Sequence, residues 1–196
     1  MPHAVNDEAL DTIFRSARTF RHWLDKPVSP ALLMAIYDLL RWGPTSANTN
    51  PARLVFVVTK DAKERLKPHL DTNNVHKTMS APATAILAYD LDFHRYVARL
   101  NPHAADAKDW FSDSKHIEET AFRNGGLQGA YFIIAARALS LDCGPMSGFD
   151  NAGVDRDFFA GTAIKSNFLC NVGYGDPAHL SSRGPRLSFD EACRIV

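Results

Sequence analysis

The chain has no surplus charge of either sign. Its 22 Lys and Arg side chains stand against 22 Asp and Glu, for a formal net charge of +0. That removes any bulk electrostatic drive toward nucleic acid or an anionic membrane, so a cation that matters must act locally. Cysteine is scarce as well. Cys143, Cys170 and Cys193 stand far apart with no C-x-x-C pair, which argues against a zinc knuckle or a disulfide framework and fits a reducing cytoplasm. No apolar run approaches the ~18 residues of a membrane span. The N-terminal stretch, with Asp7 and Glu8, lacks the apolar core of a signal peptide. No repeat, low-complexity tract or Gly/Ser/Pro linker divides the chain, so a single domain over residues 1–196 is expected.

The common catalytic motifs are missing too. There is no G-x-G-x-x-G; Gly125-Gly126-Leu127-Gln128-Gly129 has the wrong spacing and lies inside a helical pattern rather than after a strand. There is no phosphate-binding G-x-x-x-x-G-K-[ST]. Met146-Ser147-Gly148 lacks the glycine that a nucleophile elbow needs two places before its serine, where Pro145 stands. The eight histidines include no H-E-x-x-H and no close pair, so metal-dependent hydrolysis is not indicated and each reads first as a surface or structural residue.

Periodicity supplies the elements that are present. Leu10, Ile13, Phe14 and Ala17 make one apolar face of a first helix over about 6–17, with Asn6 as N-cap. Ser29 and Pro30 mark the start of a second helix, whose buried stripe is Leu32, Leu33, Ile36, Leu39 and Leu40 and which Gly43 ends. Buried strands are expected near 54–59, 83–89 and 168–174, with a short helix capped by Asp61 after the first. Residues 92–113 read as short helical pieces broken at Asn101-Pro102, a natural place for a mobile flap. The longest helix is expected over about 115–141, with Leu127, Tyr131, Ile134, Ala138 and Leu141 as its stripe and the small residues Gly125, Gly126, Gly129 and Ala130 admitting a close neighbour. Cys143–Asp150 reads as a tight loop.

Two features point to a ligand. Between Gly43 and Arg53, the side chains of Thr45, Ser46, Asn48, Thr49 and Asn50 both donate and accept hydrogen bonds, while Pro44 and Pro51 stiffen the chain. Such a loop grips a planar, hydrogen-bond-rich ligand or ties down its own backbone. Arg18 and Arg21, with Arg183 and Arg186 near the other end, form a phosphate clamp or a set of solvated surface charges.

These stretches, taken in order, resemble the flavin-dependent nitroreductase superfamily over nearly the whole chain. The resemblance is carried by Arg18-Thr19-Phe20-Arg21, Gly43-Pro44-Thr45-Ser46-Ala47-Asn48, Pro145-Met146-Ser147-Gly148-Phe149-Asp150 and Gly173-Tyr174-Gly175 with Pro185-Arg186-Leu187. With Pro51-Ala52-Arg53 and Glu119–Asn124, the wording resembles the malonic semialdehyde reductase branch of pyrimidine degradation. It departs from the wider superfamily at Ala17, where a second basic residue is frequent, and at Ala52, where an aromatic is frequent.

The resemblance implies an α+β fold with a central antiparallel or mixed sheet flanked by helices, built as an intertwined homodimer with FMN at the interface. It implies that Arg18, Thr19, Arg21 and Arg186 hold the phosphate and ribityl chain, and that Thr45, Ser46 and Asn48 lie along the flavin. Asn74 and Lys77 face its pyrimidine edge, and Ser147 and Gly148 approach N5. No side chain is expected to act as the catalytic group, since the chemistry takes place at N5. The implied activity is ping-pong hydride transfer from NADPH or NADH, with malonic semialdehyde reduced to 3-hydroxypropionate. A broad nitroreductase or quinone reductase is the same-class alternative, and a non-catalytic flavin-binding module the alternative of another class. For a substrate carboxylate, Arg53 or Arg123 is the candidate partner.

Overall fold

The structure is a computed structural model and describes residues 3–196, the side chain of Ala105 excepted. Among the described residues the strands form one antiparallel four-stranded sheet in the order β1-β2-β4-β3: β1 Ala52–Val57, β2 Ala83–Asp90, β3 Asp142–Met146 and β4 Ile164–Gly173. The helices are α1 Asp7–Leu10, continued by a wider turn over Asp11–Arg15, α2 Pro30–Leu40, α3 Lys60–Leu66 and α4 Thr72–Met79. They continue with α5 Val97–Leu100, α6 Ser114–Ala138, α7 Asn151–Phe158 and α8 Phe189–Ala192. No described helix is long and apolar enough to cross a membrane.

The sheet is covered on both sides. All eight residues of β2 are buried, which is why it reads as a continuous apolar run rather than an alternation. Ala85 and Leu87 pack with Leu33, Ile36, Leu40, Phe132 and Ala136 under α2 and α6. Ile86 and Ala88 turn the other way, onto Leu66, Met146, Val154 and Leu169. A third cluster, with Phe93, Val97 and Phe111 against Tyr89 and Ala121, seats the 92–113 segment on α6. That segment is a series of short helical pieces broken at Asn101, as expected, though of its aromatic anchors only Phe93 and Phe111 are buried.

Several expectations are corrected. The helix after β1 is capped by Thr59, whose hydroxyl accepts from the Ala62 N–H, while Asp61 lies in the first turn. Residues 142–146 are a strand, not part of a loop. The first helix leaves Phe14 exposed. In α6, which ends at Ala138, the expected stripe is divided: Leu141, just past the helix, is buried in the core, while Leu127 and Tyr131 lie outside. Leu127 is 48% and Tyr131 38% exposed, with Phe122 also out, while Thr120, Asn124, Gly125, Gln128 and Gly129 face the sheet. The reason is steric. A Cβ on Gly129 would stand 2.6 Å from the Phe168 ring, so only glycine lets β4 approach this closely.

Candidate functional site

The first half of the site is held together by β3. Phe20 N–H donates to the Cys143 carbonyl at 3.0 Å, and Thr19 bridges Cys143 in parallel. The Arg18–Arg21 segment therefore runs along the strand that leads into Ser147 and Gly148. Trp23 Nε1 and Asn171 Nδ2 both donate to the Lys77 carbonyl, at 2.9 and 3.0 Å, which fixes the end of α4 against the same segment. Asn74, buried, donates from Nδ2 to the Gly148 carbonyl at 2.6 Å. Asn74 thus touches Gly148 directly, and the backbone of residues 19 and 20 and the Trp23 indole tie the Arg18–Arg21 segment to β3 and to the end of α4.

The tail closes this group. Arg18, Thr19, Arg21, Arg137, Arg183 and Arg186 line one cavity of about 570 Å³. Arg18 Nη2 donates to the Ser181 carbonyl, while Arg183 Nη2 donates back to the Arg15 and Ala17 carbonyls at 2.8 and 2.9 Å. Arg186 turns onto its own Gly184 and Pro185 carbonyls. Burial, and then the charge of Arg21, lower the pKa of the Lys77 ammonium.

The second half is the loop 43–53, and its geometry is unusual. Ala47, Asn48 and Asn50 have φ of 48°, 53° and 44°, a region that asparagine tolerates and alanine occupies at a cost of about 1 kcal/mol. The surroundings impose it. Asn124 Oδ1 accepts from the Ser46 N–H at 2.9 Å, Gln128 Oε1 from the Ala52 N–H at 2.9 Å, and Thr45 Oγ1 from the Asn50 N–H at 3.1 Å. Asn48 Nδ2 donates to the Leu100 carbonyl, and Asn50 Nδ2 to Asn48 O and Oδ1. Much of the loop's polar equipment is therefore spent on its own shape. Asn124 and Gln128, which do this from the buried face of α6, went unremarked in the sequence. Their only signal is a pair of amides four apart among small residues.

The loop does not meet the arginine cluster within one chain. Pro44, Asn48, Asn50, Ala52 and Arg53 line a different cavity, of about 1140 Å³, with Tyr37, Trp42 and Tyr96. Arg53 is already committed. It donates to Asp90 Oδ2 at 2.7 Å and to the Asn50 and Ala52 carbonyls. Arg123 stands exposed on α6.

Known proteins resemble this chain in sequence and in fold. The Nitroreductase family model matches residues 14–174. A Stenotrophomonas maltophilia protein, provisionally named NADH dehydrogenase/NAD(P)H nitroreductase, is 61% identical over 199 residues, covering 100% of both chains. A Burkholderia lata protein with the same provisional name is 59% identical, covering 97% of this chain and 98% of that one. Among solved structures, a provisionally described nitroreductase from Bacillus subtilis superposes with a TM-score of 0.86 at 20% identity, covering 97% of this chain and 100% of that one. One from Exiguobacterium sibiricum, in complex with FMN, gives 0.86 at 15% identity over 100% of both.

Proposed function

Since the chain belongs to the nitroreductase family, we propose that it is an FMN-dependent NAD(P)H oxidoreductase whose cofactor site is completed by a second copy of itself. The observation that carries this reading is the gathering of cations. Arg18, Arg21 and Arg186 line one cavity together with Asp176, whose carboxylate is engaged by His179, and Lys77 feels the charge of Arg21. Like charges brought together in a partly desolvated place cost free energy until an anion sits among them. A phosphate monoester suits paired guanidiniums.

The residues fit the cofactor's parts. Arg18, Thr19, Arg21 and Arg186 would hold the phosphate and ribityl chain, and Asn74 and Lys77 the pyrimidine edge. Thr45, Ser46 and Asn48 of the second copy would lie along the ring. Bound FMN supplies two-electron chemistry at N5, accepting hydride from NADH or NADPH and passing it to an organic acceptor. The chain's own work is positioning and electrostatics. The Lys77 ammonium offsets negative charge at the pyrimidine edge. Asn74, by holding the Gly148 carbonyl, fixes the turn that approaches N5.

The second copy is supported by what one chain leaves undone. The loop and the arginine cluster line separate cavities. Met34, Trp42, Phe122, Leu127 and Tyr131 on and beside α2 and α6 stay exposed, as do Leu187, Phe189, Ile195 and Val196 of the tail. A second copy packed over them would take these side chains out of water.

For the acceptor, Ala52 where an aromatic is frequent favours something small, of which malonic semialdehyde, reduced to 3-hydroxypropionate, is the first reading. One observation favours the second reading, a broad nitro and quinone acceptor range: Arg53, the candidate partner for a carboxylate, is bound to Asp90. The test starts with an absorbance spectrum of the purified protein. Oxidised-flavin bands that NADPH bleaches without oxygen are expected; a yellow protein that never bleaches would make it a flavin-binding module, and a colourless, FMN-indifferent one would sink the reading. Comparing kcat/KM for malonic semialdehyde, nitrofurazone and menadione then separates the acceptor classes.

A further inference from the structure

We propose that Asp71 is a specificity-determining residue of this site, a fixed negative charge that selects uncharged acceptors over anionic ones. The inference rests on the FMN reading above and decides between its two acceptor readings: malonic semialdehyde carries a carboxylate, so a negative charge here favours the neutral nitro and quinone class.

Asp71 occupies the N-cap position of α4, where an aspartate ordinarily accepts from a backbone N–H of the first turn. Its side chain makes no such bond. The carboxylate instead lies against Gly148. A Cβ built on Gly148 would stand 2.5 Å from Asp71 Oδ2 and 2.7 Å from Asn74 Nδ2. The Asp71 carboxylate and the Asn74 amide therefore occupy the space a side chain at 148 would need, and a larger residue there would have to displace them. The backbone is clamped in the same place. The Gly148 carbonyl accepts from the Asp71 N–H at 3.2 Å and from Asn74 Nδ2 at 2.6 Å.

The two residues differ in what they do there. Asn74 is buried and hydrogen-bonded, while Asp71 is exposed and takes part in no ion pair found among the described residues. An unpaired, solvent-facing carboxylate contributes little to stability, so packing does not account for its turning away from the cap. Along α4 the charge runs from Asp71 at one end to Lys77 six residues later, with Asn74 between them. Lys77 lies at the Arg21 end, where the anionic part of the cofactor is proposed to sit. Asp71 marks the opposite edge, beside the turn proposed to approach N5. A ligand entering there meets a negative charge, which repels a carboxylate and leaves a neutral molecule indifferent.

The experiment compares wild type with D71N, both loaded with FMN, on the matched pair 4-nitrobenzoate and 4-nitrobenzamide. Asparagine keeps the shape and is an equally good cap, and D71S serves as a second variant. Benzoate and benzamide affinities, measured by titration calorimetry, give a readout independent of turnover. In D71N the anion should gain about three- to tenfold over the amide in kcat/KM and in affinity, as expected for one charge several ångströms away in a partly solvated site. The gain should shrink in high salt. Unchanged ratios in an FMN-loaded, NAD(P)H-reducible protein overturn this inference alone. A protein that holds no FMN overturns the functional reading and this inference with it.

Discussion

Lys63 offers the most direct test of how the α4 end of the site is held. Only 6% exposed, it places its amine against the Thr78 carbonyl at 2.8 Å and against the Ala81 carbonyl, at the end of α4 and the turn into β2. Burial pushes its pKa down from the ordinary 10.5 to about 8. The direction of the stability effect follows. Below pH 8 the amine is charged in both the folded and unfolded chain, and folding bears the whole cost of burying the charge. Between pH 8 and 10.5 the folded chain has released its proton while the unfolded chain still holds it, so stability from this group rises with pH. A shift of about 2.5 units, at ~1.36 kcal/mol each, makes the rise about 3 kcal/mol. Lys63→Met lacks this titration. It escapes the charge cost near neutrality but leaves two carbonyls without a donor, each worth ~1–3 kcal/mol. Its stability should therefore lie near wild type around neutral pH and fall about 3 kcal/mol further behind by pH 10.5. Urea unfolding at both pH values, on both proteins, measures this. Other lysines and tyrosines titrate alike in the two and cancel in the difference. Parallel pH dependences would refute the reasoning.

Three further outcomes are expected. Arg18→Ala should weaken FMN binding at least tenfold, since a charge-assisted hydrogen bond is worth ~1.5–3 kcal/mol; an unchanged Kd in a fluorescence titration would return Arg18 to the role of a clasp on Ser181. Gln128→Ala should cost ~0.5–1.5 kcal/mol, because the half-buried Ala52 N–H loses its acceptor, and should lower Tm by roughly 2–4 °C per kcal/mol; a melting curve superposable on wild type would show that the loop holds its shape without it. Leu127→Glu with Tyr131→Glu, both on the exposed side of α6, should yield a monomer by light scattering that no longer retains FMN. A dimer of unchanged affinity would place the contact between copies elsewhere.

What could be read from the amino acids follows from how each element meets its surroundings. The start of α2 was legible because Ser29 and Pro30 are local signals, and the Ser29 hydroxyl does accept from the Leu32 N–H. β2 was legible because burial on both faces leaves an unbroken apolar run. β3 was hidden by Gly144 and Pro145, which read as loop formers. It lies at the end of the strand order, with β4 on one side and an isolated bridge from Thr19 to Cys143 on the other, and an edge strand tolerates a proline that a central strand would not. Arg18, Arg21, Lys77 and Gly148 could not be joined by spacing, because their proximity depends on β3 pairing with residues 19 and 20 and on α4 packing across the 147–148 turn. The family resemblance implied that grouping, which the sequence order alone does not. α6 is the instructive miss. Its 3.6-residue stripe was visible, but periodicity reports which face is apolar, not which face this chain buries. Here the sheet takes the face of Gly125 and Gly129, together with Asn124 and Gln128, which brace the loop. Leu127 and Tyr131 of the apolar stripe are left over. A second copy packed against them, as proposed above, would take them out of water. The residues that misplace the core of one chain are therefore the ones on which the proposed contact between copies is argued.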